Sequence, residues 1–115
     1  MHEMPVVMNV VDLIDDCARK NDVKEVRRVT MEIGEIAMVM PNYFRSFWQP
    51  VIEQSEFCKN AELDIEIEPG IGQCRACEHD FNIEKNNGVC PKCGAVEQFQ
   101  ILSGRDIRIL QIDVL

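Results

Sequence analysis

The 115-residue chain carries 12 basic and 20 acidic side chains, which give it a formal net charge of −8 at pH 7. That length is enough for one small domain and a module that a metal ion stabilises. An acidic surface repels nucleic acid. No apolar run approaches the roughly 20 residues that a membrane-spanning helix needs, and the chain opens without a basic, apolar signal peptide. We therefore expect a cytoplasmic protein that binds neither nucleic acid nor membranes.

The first helix is predicted to run from about Pro5 to Lys20, because apolar side chains recur there at helical spacing. Proline suits the first helical position, whereas the residue before it is pushed out of helical conformation. The first four residues are therefore expected to project as an extended stub. Cys17 falls on the apolar face and is expected in the core, while Cys58 is a candidate exposed thiol without an assigned role.

Two segments predict half-buried strands, because apolar and polar side chains alternate along them. The first covers residues 26–33, with Val29, Met31 and Ile33 on one face, and Gly34 ends it. The second covers residues 62–68, and its outer face consists of Glu62, Asp64, Glu66 and Glu68. We interpret that acidic face as solvated, with attraction of cations or of a basic partner as the alternative.

A second helix is expected between these strands, opening at Pro41 with a broad apolar stripe. Such a stripe covers a sheet in a two-layer domain. Pro50 lies within it and lacks a backbone donor, so it predicts a kink or a restart of the helix.

Four of the six cysteines form two C-x-x-C pairs twelve residues apart, Cys74 with Cys77 and Cys90 with Cys93. Two thiolates three positions apart on a tight turn can hold one metal ion, and a second such turn completes a tetrahedron of sulfurs. This spacing is typical of a structural zinc ribbon. A closed site of this kind has no open coordination position, so its role is structural.

The residues around the cysteines support two facing metal-binding turns, or knuckles. Gly94 follows the second pair and can take the positive φ that a tight knuckle demands, whereas Glu78 in the equivalent place predicts a looser or strained first knuckle. The Asn86-Asn87-Gly88 segment predicts a turn that brings the pairs together. His79 beside the first knuckle is interpreted as an exposed hairpin residue, with a metal-sensing role as the alternative.

The sequence alone leaves other uses of the four cysteines open. Disulfides require an oxidising compartment, and a redox dithiol pair would sit in a thioredoxin-like βαβ unit, which the sequence does not indicate. Iron in a four-cysteine site is not separated from zinc by ligand softness and geometry alone. Zinc is the preferred interpretation.

The last strand is predicted between Arg105 and Leu115, where apolar residues alternate first in one phase and then in the other. A β-bulge near Leu110 would reconcile the two phases. The sequence therefore predicts an α+β fold, with two helices packed on one face of a three-stranded sheet and an inserted four-cysteine zinc-ribbon module. We expect the α+β domain over residues 1–69 and 103–115 and the zinc-binding domain over residues 70–102.

His2 suggests a second metal site at the start of the chain. The α-amine, the backbone nitrogen of His2 and its imidazole can wrap one divalent ion. A fourth place is left for another backbone nitrogen, the Glu3 carboxylate or a ligand from a partner. Planar, nitrogen-rich coordination suits Ni(II) or Cu(II). A histidine near a terminus is more often a solvated side chain, so the pattern alone is a weak signal.

Taken together, these motifs resemble the HypA family of hydrogenase nickel-incorporation proteins over essentially the whole chain. The matching segments are Met1-His2-Glu3, Met31-Glu32-Ile33-Gly34-Glu35, the two C-x-x-C pairs and Ser103-Gly104. The resemblance implies a nickel-binding domain joined to a zinc domain, acting as a metallochaperone and not as an enzyme. It also implies that the ligands of nickel are Met1, His2 and Glu3 and that those of zinc are Cys74, Cys77, Cys90 and Cys93.

The same resemblance implies two metals and a set of partners. Zn2+ would be a structural cofactor and Ni2+ a transferred cargo, passed with a HypB-type nickel GTPase to the large subunit of NiFe hydrogenase. Some members also serve urease maturation. The sequence does not fix the oligomeric state and leaves a homodimer open. Three residues depart from the usual pattern: Pro5 replaces a capping residue, Glu78 a glycine, and Pro50 breaks the second helix.

The main alternative is a zinc-stabilised protein-interaction adaptor without a transferable metal. A zinc enzyme would need an open coordination position and a nearby general base, and the sequence shows neither.

Overall fold

The structure, a computed structural model, describes residues 3–115. Its helices and strands are α1 (Glu3–Lys20), β1 (Val26–Gly34), α2 (Pro41–Ile52), β2 (Glu62–Glu68), β3 (Ile71–Cys74), β4 (Asp80–Asn82), β5 (Phe99–Ser103) and β6 (Ile107–Val114). They form two three-stranded sheets, with the strand orders β2-β1-β6 and β4-β3-β5. The predicted α+β class is confirmed. Neither helix is long and apolar enough to span a lipid bilayer.

The chain divides into two compact units. The described residues of the first unit are 3–32, 39–66 and 108–115, and the second unit comprises residues 33–38 and 67–107. The first unit contains both helices, which pack against each other. Its buried apolar side chains include Val7, Val10, Val11 and Ile14 of α1, Val26, Val29 and Met31 of β1, and Phe44, Trp48 and Ile52 of α2. At about 1.5–3 kcal/mol for each fully buried side chain, this cluster supplies most of the driving force of the unit.

Strand β1 carries the alternation that the sequence predicted, since Val29, Met31 and Ile33 are all buried. Strand β2 departs from its pattern at one end, because Ile67 is 50% exposed. Along β6 the burial alternation changes phase at Leu110 and Gln111, which are both exposed. The alternation of apolar residues in the sequence was predicted to change phase at this same position.

Helix α1 begins at Glu3 and not near Pro5, so the expected four-residue extended stub is wrong from Glu3 onward. The first four N–H groups of any helix lack an intrahelical acceptor, so a proline is tolerated anywhere in the first turn. A tertiary contact fixes the start: Glu3 is 7% exposed, and its Oε2 accepts a hydrogen bond from the backbone N–H of Met40 at 3.1 Å.

Helix α2 continues through Pro50 and ends at Ile52, so the restart expected at this proline is absent from the segment that the structure describes. Pro50 lies in the last turn, where its missing donor costs a single intrahelical bond. The chain instead leaves the helix through a turn in which the N–H of Ser55 donates to the carbonyl of Ile52 at 3.0 Å.

The two cysteines outside the C-x-x-C pairs have the reverse of their predicted exposure, since Cys17 is exposed and Cys58 is fully buried. Cys58 ends the loop of residues 55–58, which donates several hydrogen bonds to the Asp15 carboxylate. This carboxylate accepts hydrogen bonds from the Ser55 hydroxyl at 2.7 Å, from the Phe57 N–H at 3.2 Å and from the Cys58 thiol at 3.6 Å. Burial raises the pKa of Cys58 to about 11, so the thiol stays protonated at neutral pH.

We expect Asp15→Ala to lower the free energy of unfolding by about 1–3 kcal/mol, because it leaves buried donors of the 55–58 loop without an acceptor. Asp12→Ala is the matched control, since Asp12 is exposed on the same helix and the change in helix propensity is the same. Urea denaturation followed by the fluorescence of Trp48, the one tryptophan of the chain, measures both. Equal destabilisation by the two substitutions would contradict the role of the carboxylate.

Candidate metal centre

The C-x-x-C pairs lie on the turns of the second sheet. Strand β3 pairs antiparallel with β4 on one side and with β5 on the other. The first knuckle begins at Cys74, the last residue of β3, and leads into β4. The second knuckle lies between β4 and β5 and is flanked by an isolated antiparallel bridge between Val89 and Val96. The sheet thus holds the first knuckle and the bridge holds the second.

The two knuckles share one hydrogen-bond pattern. The carbonyl of Cys74 accepts from the N–H of Glu78 at 2.8 Å, and the carbonyl of Cys90 accepts from the N–H of Gly94 at the same distance. In addition, the N–H of each first cysteine donates at 2.9 Å to the carbonyl five residues later. The pattern rolls each C-x-x-C segment into a tight turn with both sulfurs on one side.

Positive φ occurs at the equivalent position of both knuckles, as the tight turn requires. Gly94 has φ of 79° and Glu78 has φ of 65°. For a residue with a side chain, this left-handed conformation costs about 1–2 kcal/mol. The prediction of a strained first knuckle at Glu78 is confirmed. The turn predicted at residues 86–88 is also present, with φ of 52° at Asn87 and 75° at Gly88.

The four sulfurs converge on one point. The Sγ atoms of Cys74 and Cys93 are 3.6 Å apart, as are those of Cys77 and Cys90, and all four lie within 4.8 Å of one another. A tetrahedral ion with metal–sulfur bonds of about 2.3 Å, the zinc value, requires sulfur–sulfur distances of about 3.8 Å. The cluster therefore fits one tetrahedral thiolate-bound ion after small side-chain adjustments.

The backbone around the cluster favours the ionised thiolates that a metal needs. The backbone N–H of Cys77 makes the largest contribution to lowering the pKa of Cys74. Burial opposes ionisation of Cys90, but the N–H groups of Cys93 and Lys92, with the neighbouring thiols, lower its pKa to about 7. Backbone N–H groups also act to lower the pKa values of Cys77 and Cys93, but burial and neighbouring thiols raise both. Ionisation is thus favoured at the two buried positions, Cys74 and Cys90.

A small apolar cluster supports the metal site from one side. Phe81 and Phe99 meet edge to face, with ring centroids 5.8 Å apart, and Ile83 is buried beside them. Gly72 leaves room for this contact, because a Cβ at that position would lie 3.0 Å from atoms of both Ile83 and Phe99. Apart from the sulfurs, the second unit has few buried apolar groups on which to rely.

Glu35 joins residues 33–38 to the rest of the second unit, a role that the sequence did not indicate. Its Oε1 accepts hydrogen bonds from the N–H of Gly70 and from Nδ2 of Asn82, both at 3.0 Å. These donors, the Gly70 N–H first, lower the pKa of Glu35. The residue belongs to the Met31–Glu35 motif, but periodicity gives no signal for such a contact.

Of the predicted nickel ligands, Glu3 alone lies among the described residues, and Met1 and His2 lie outside them. The Glu3 carboxylate bonds to the N–H of Met40, which is the N-cap of α2 and has no side-chain cap of its own. His79 is exposed, and its carbonyl accepts from the Cys74 N–H. Within residues 3–115, the four cysteines are the one group of potential ligands close enough to hold a metal ion.

The acidic face of β2 is partly neutralised. Arg28 donates to Glu62 and Asp64, in both cases at 2.7 Å, and Glu68 Oε1 accepts from the N–H of Gly104 at 2.7 Å. Three of the four carboxylates that might have attracted a cation are therefore engaged within the chain.

Comparisons with known proteins agree over the full length of the chain. A family model described as hydrogenase/urease nickel incorporation, metallochaperone, hypA, matches residues 1–114. A hydrogenase maturation factor HypA from Trichodesmium erythraeum is 34% identical over 114 residues, covering 99% of this chain and 96% of the relative. A second such factor, from Campylobacter jejuni, is 30% identical over 112 residues, covering 97% of each. The solution structure of the Ni metallochaperone HypA from Helicobacter pylori superposes with a TM-score of 0.72 at 34% identity, covering 100% of this chain and 98% of that one.

We expect Cys90→Ser to abolish tight binding of Co(II), a spectroscopic probe of four-sulfur sites, because the cluster loses one of its four thiolates. The unmodified protein should bind one Co(II) per chain and show a thiolate-to-metal absorption band. Cys17→Ser is the matched control, since it removes an exposed thiol outside the cluster. Retention of the band and of the stoichiometry in Cys90→Ser would rule out this metal centre.

Proposed function

We propose a mechanism of nickel transfer for this chain, which belongs to the HypA family of nickel-incorporation metallochaperones for hydrogenase maturation. The protein is accordingly a metal carrier and not an enzyme. The observation that carries the proposal is the match of the family model over residues 1–114, which includes the Met1-His2-Glu3 segment.

The proposed nickel ligands are the α-amine of Met1, the backbone nitrogen and imidazole of His2, and the backbone nitrogen of Glu3. The position of the Glu3 side chain supports the last choice, because its carboxylate is buried and bonded to the Met40 N–H. The backbone N–H of Glu3 is free of an intrahelical acceptor, since Glu3 is the first residue of α1. Glu3 would thus position the site through its side chain and bind the ion through its backbone.

The ion would sit near the amino-terminal end of α1, whose partial positive charge opposes a cation. This opposition is about 0.3–1 kcal/mol, whereas a chelate of only micromolar affinity supplies about 8 kcal/mol. The helix end therefore does not prevent binding. A terminal chelate built from so few side chains also remains accessible to competing ligands.

Release would occur by ligand exchange. We assign the competing ligands to a HypB-type nickel GTPase and to the large subunit of NiFe hydrogenase, with urease maturation proteins as additional recipients. Nickel would pass as Ni(II), without a change of oxidation state and without catalysis by this protein.

The four-cysteine cluster would hold Zn2+ as a structural cofactor. Four thiolates fill a tetrahedral zinc ion, which leaves no coordination position for exchange, so this ion cross-links the second sheet. We place the nickel function in residues 1–69 and 103–115 and the zinc function in residues 70–102. Zinc-binding thiolates and free cysteines require a reducing compartment, which supports the cytoplasm as the location.

We expect wild-type protein with a native terminus and loaded zinc to bind one Ni(II) per chain, and His2→Ala to lower its affinity at least tenfold. His79→Ala is the matched control, because His2 and His79 are the two histidines of the chain. Isothermal titration at neutral pH measures both parameters. A short amino-terminal extension converts the α-amine of Met1 into a peptide amide. It should impair nickel binding in the same way while sparing zinc. Unchanged stoichiometry and affinity in His2→Ala would refute the proposed site.

Substitutions of Glu3 separate a positioning role from direct ligation. Glu3→Gln keeps an oxygen acceptor for the Met40 N–H and should retain nickel affinity within about threefold, whereas Glu3→Ala removes the acceptor and should weaken binding further. In the same titrations, equal and large losses in both variants would show that the carboxylate itself binds the ion. Thermal unfolding provides the second readout, since loss of the contact in Glu3→Ala should cost about 1–3 kcal/mol.

A further inference from the structure

An open groove of about 470 Å³ lies in the first unit, between α2 and the segment of residues 59–63. Its lining includes two cations, Arg45 and Lys59, one carboxylate, Glu62, two side-chain amides, Gln49 and Asn60, and the apolar Leu63. None of the four cysteines lines the groove, and neither does Glu3. The groove is therefore separate from the proposed metal ligands that the structure describes.

The wall of the groove is fixed by one buried hydrogen bond. The indole Nε1 of Trp48 donates to the carbonyl of Ala61 at 3.0 Å, and both residues are about 5% exposed or less. This bond joins α2 to the segment that forms the opposite side. The groove is thus part of the packed structure, and a ligand would find it already formed.

Within the described part of the chain, the two cations at the groove are not neutralised, whereas the one carboxylate of its lining, Glu62, is paired with Arg28. Elsewhere in the first unit Arg19 pairs with Glu56, Arg28 pairs with Glu62 and Asp64, and Arg108 pairs with Glu32. Arg45 and Lys59 are exposed and make no ion pair or hydrogen bond among residues 3–115. In a chain of net charge −8, these two cations bordering one groove form a local site for negative charge.

We propose that this groove docks a short, acidic, extended segment of a partner protein. Two carboxylates of the segment would pair with Arg45 and Lys59, its backbone would bond to the amides of Gln49 and Asn60, and an apolar side chain would lie against Leu63. The two side-chain amides favour a peptide over a simple anion, because an amide side chain matches a peptide group as donor and acceptor. The net negative charge of the chain disfavours a long polyanion such as nucleic acid.

The test uses an acetylated, amidated hexapeptide of alternating glutamate and leucine as the probe. Titration into 15N-labelled, zinc-loaded protein should shift the backbone amides of residues 45–49 and 59–63, and the fluorescence of Trp48 should change over the same concentration range. The double variant Arg45→Glu, Lys59→Glu should weaken binding at least tenfold, since two attractive charges become repulsive. Lys24→Glu is the matched control, because Lys24 is an exposed cation outside the groove and should leave the affinity within about twofold.

Three further measurements distinguish an acidic peptide from other ligands of the groove. A peptide with glutamine in place of glutamate should bind at least tenfold more weakly, and inorganic phosphate at the same charge concentration should not produce the amide shifts. The milder variant Arg45→Gln, with circular dichroism as a check on folding, separates loss of charge from loss of structure. The double variant should still bind one Ni(II), so a failure here is distinct from a failure of the carrier function. Absence of peptide binding, equal weakening by Lys24→Glu, or the same shifts with phosphate alone would overturn the proposal.

Discussion

The convergence of four sulfurs on one point is the constraint on which the second unit depends. Its buried apolar cluster consists of Cys74, Phe81, Ile83 and Cys90, with Phe99 partly buried beside them. At about 1.5–3 kcal/mol per large side chain, such a cluster does not offset about 1–2 kcal/mol of backbone entropy for each ordered residue over a segment of this size. A structural zinc ion contributes about 10–16 kcal/mol in small metal-bound domains. In the proposed zinc-bound form, the metal would order the knuckles that join β3, β4 and β5 and would thereby allow the hydrogen bonds of these strands to form.

The first unit is stabilised in a different way. Apolar packing forms its core, and a few carboxylates accept hydrogen bonds from backbone N–H groups. Asp15 satisfies the donors of the 55–58 loop, and Glu3 satisfies the N–H of Met40 at the uncapped start of α2. A carboxylate near a helix amino terminus also gains about 0.3–1 kcal/mol from the helix dipole. In the proposed nickel site, this contact would hold Glu3, one of the ligand residues, against the folded unit.

Features that repeat along the sequence were predictable, and features that depend on single tertiary contacts were not. Alternation identified β1 with the correct buried residues, Pro41 marked the start of α2, and the C-x-x-C spacing with Gly94 gave the two knuckles. The exposure of Cys17 and Cys58 was reversed because Cys58 is buried by a loop gathered around Asp15, which has no periodic signal. The sequence did not identify the short strands of the second sheet for a related reason. Strands of three to five residues beside the C-x-x-C turns need little apolar alternation.

Glu78 shows what a bound metal ion would allow the sequence to tolerate. The two knuckles have the same hydrogen bonds, and both require positive φ at the residue after the second cysteine. Gly94 meets this requirement without strain, whereas Glu78 does so at a cost of about 1–2 kcal/mol. That cost is large beside the 5–15 kcal/mol that stabilises a typical domain, but it is small beside the free energy of binding a structural zinc ion. In the proposed zinc-bound form, the ion shared by the four thiolates would offset the strain at Glu78. The metal-free form would bear the same strain without that compensation.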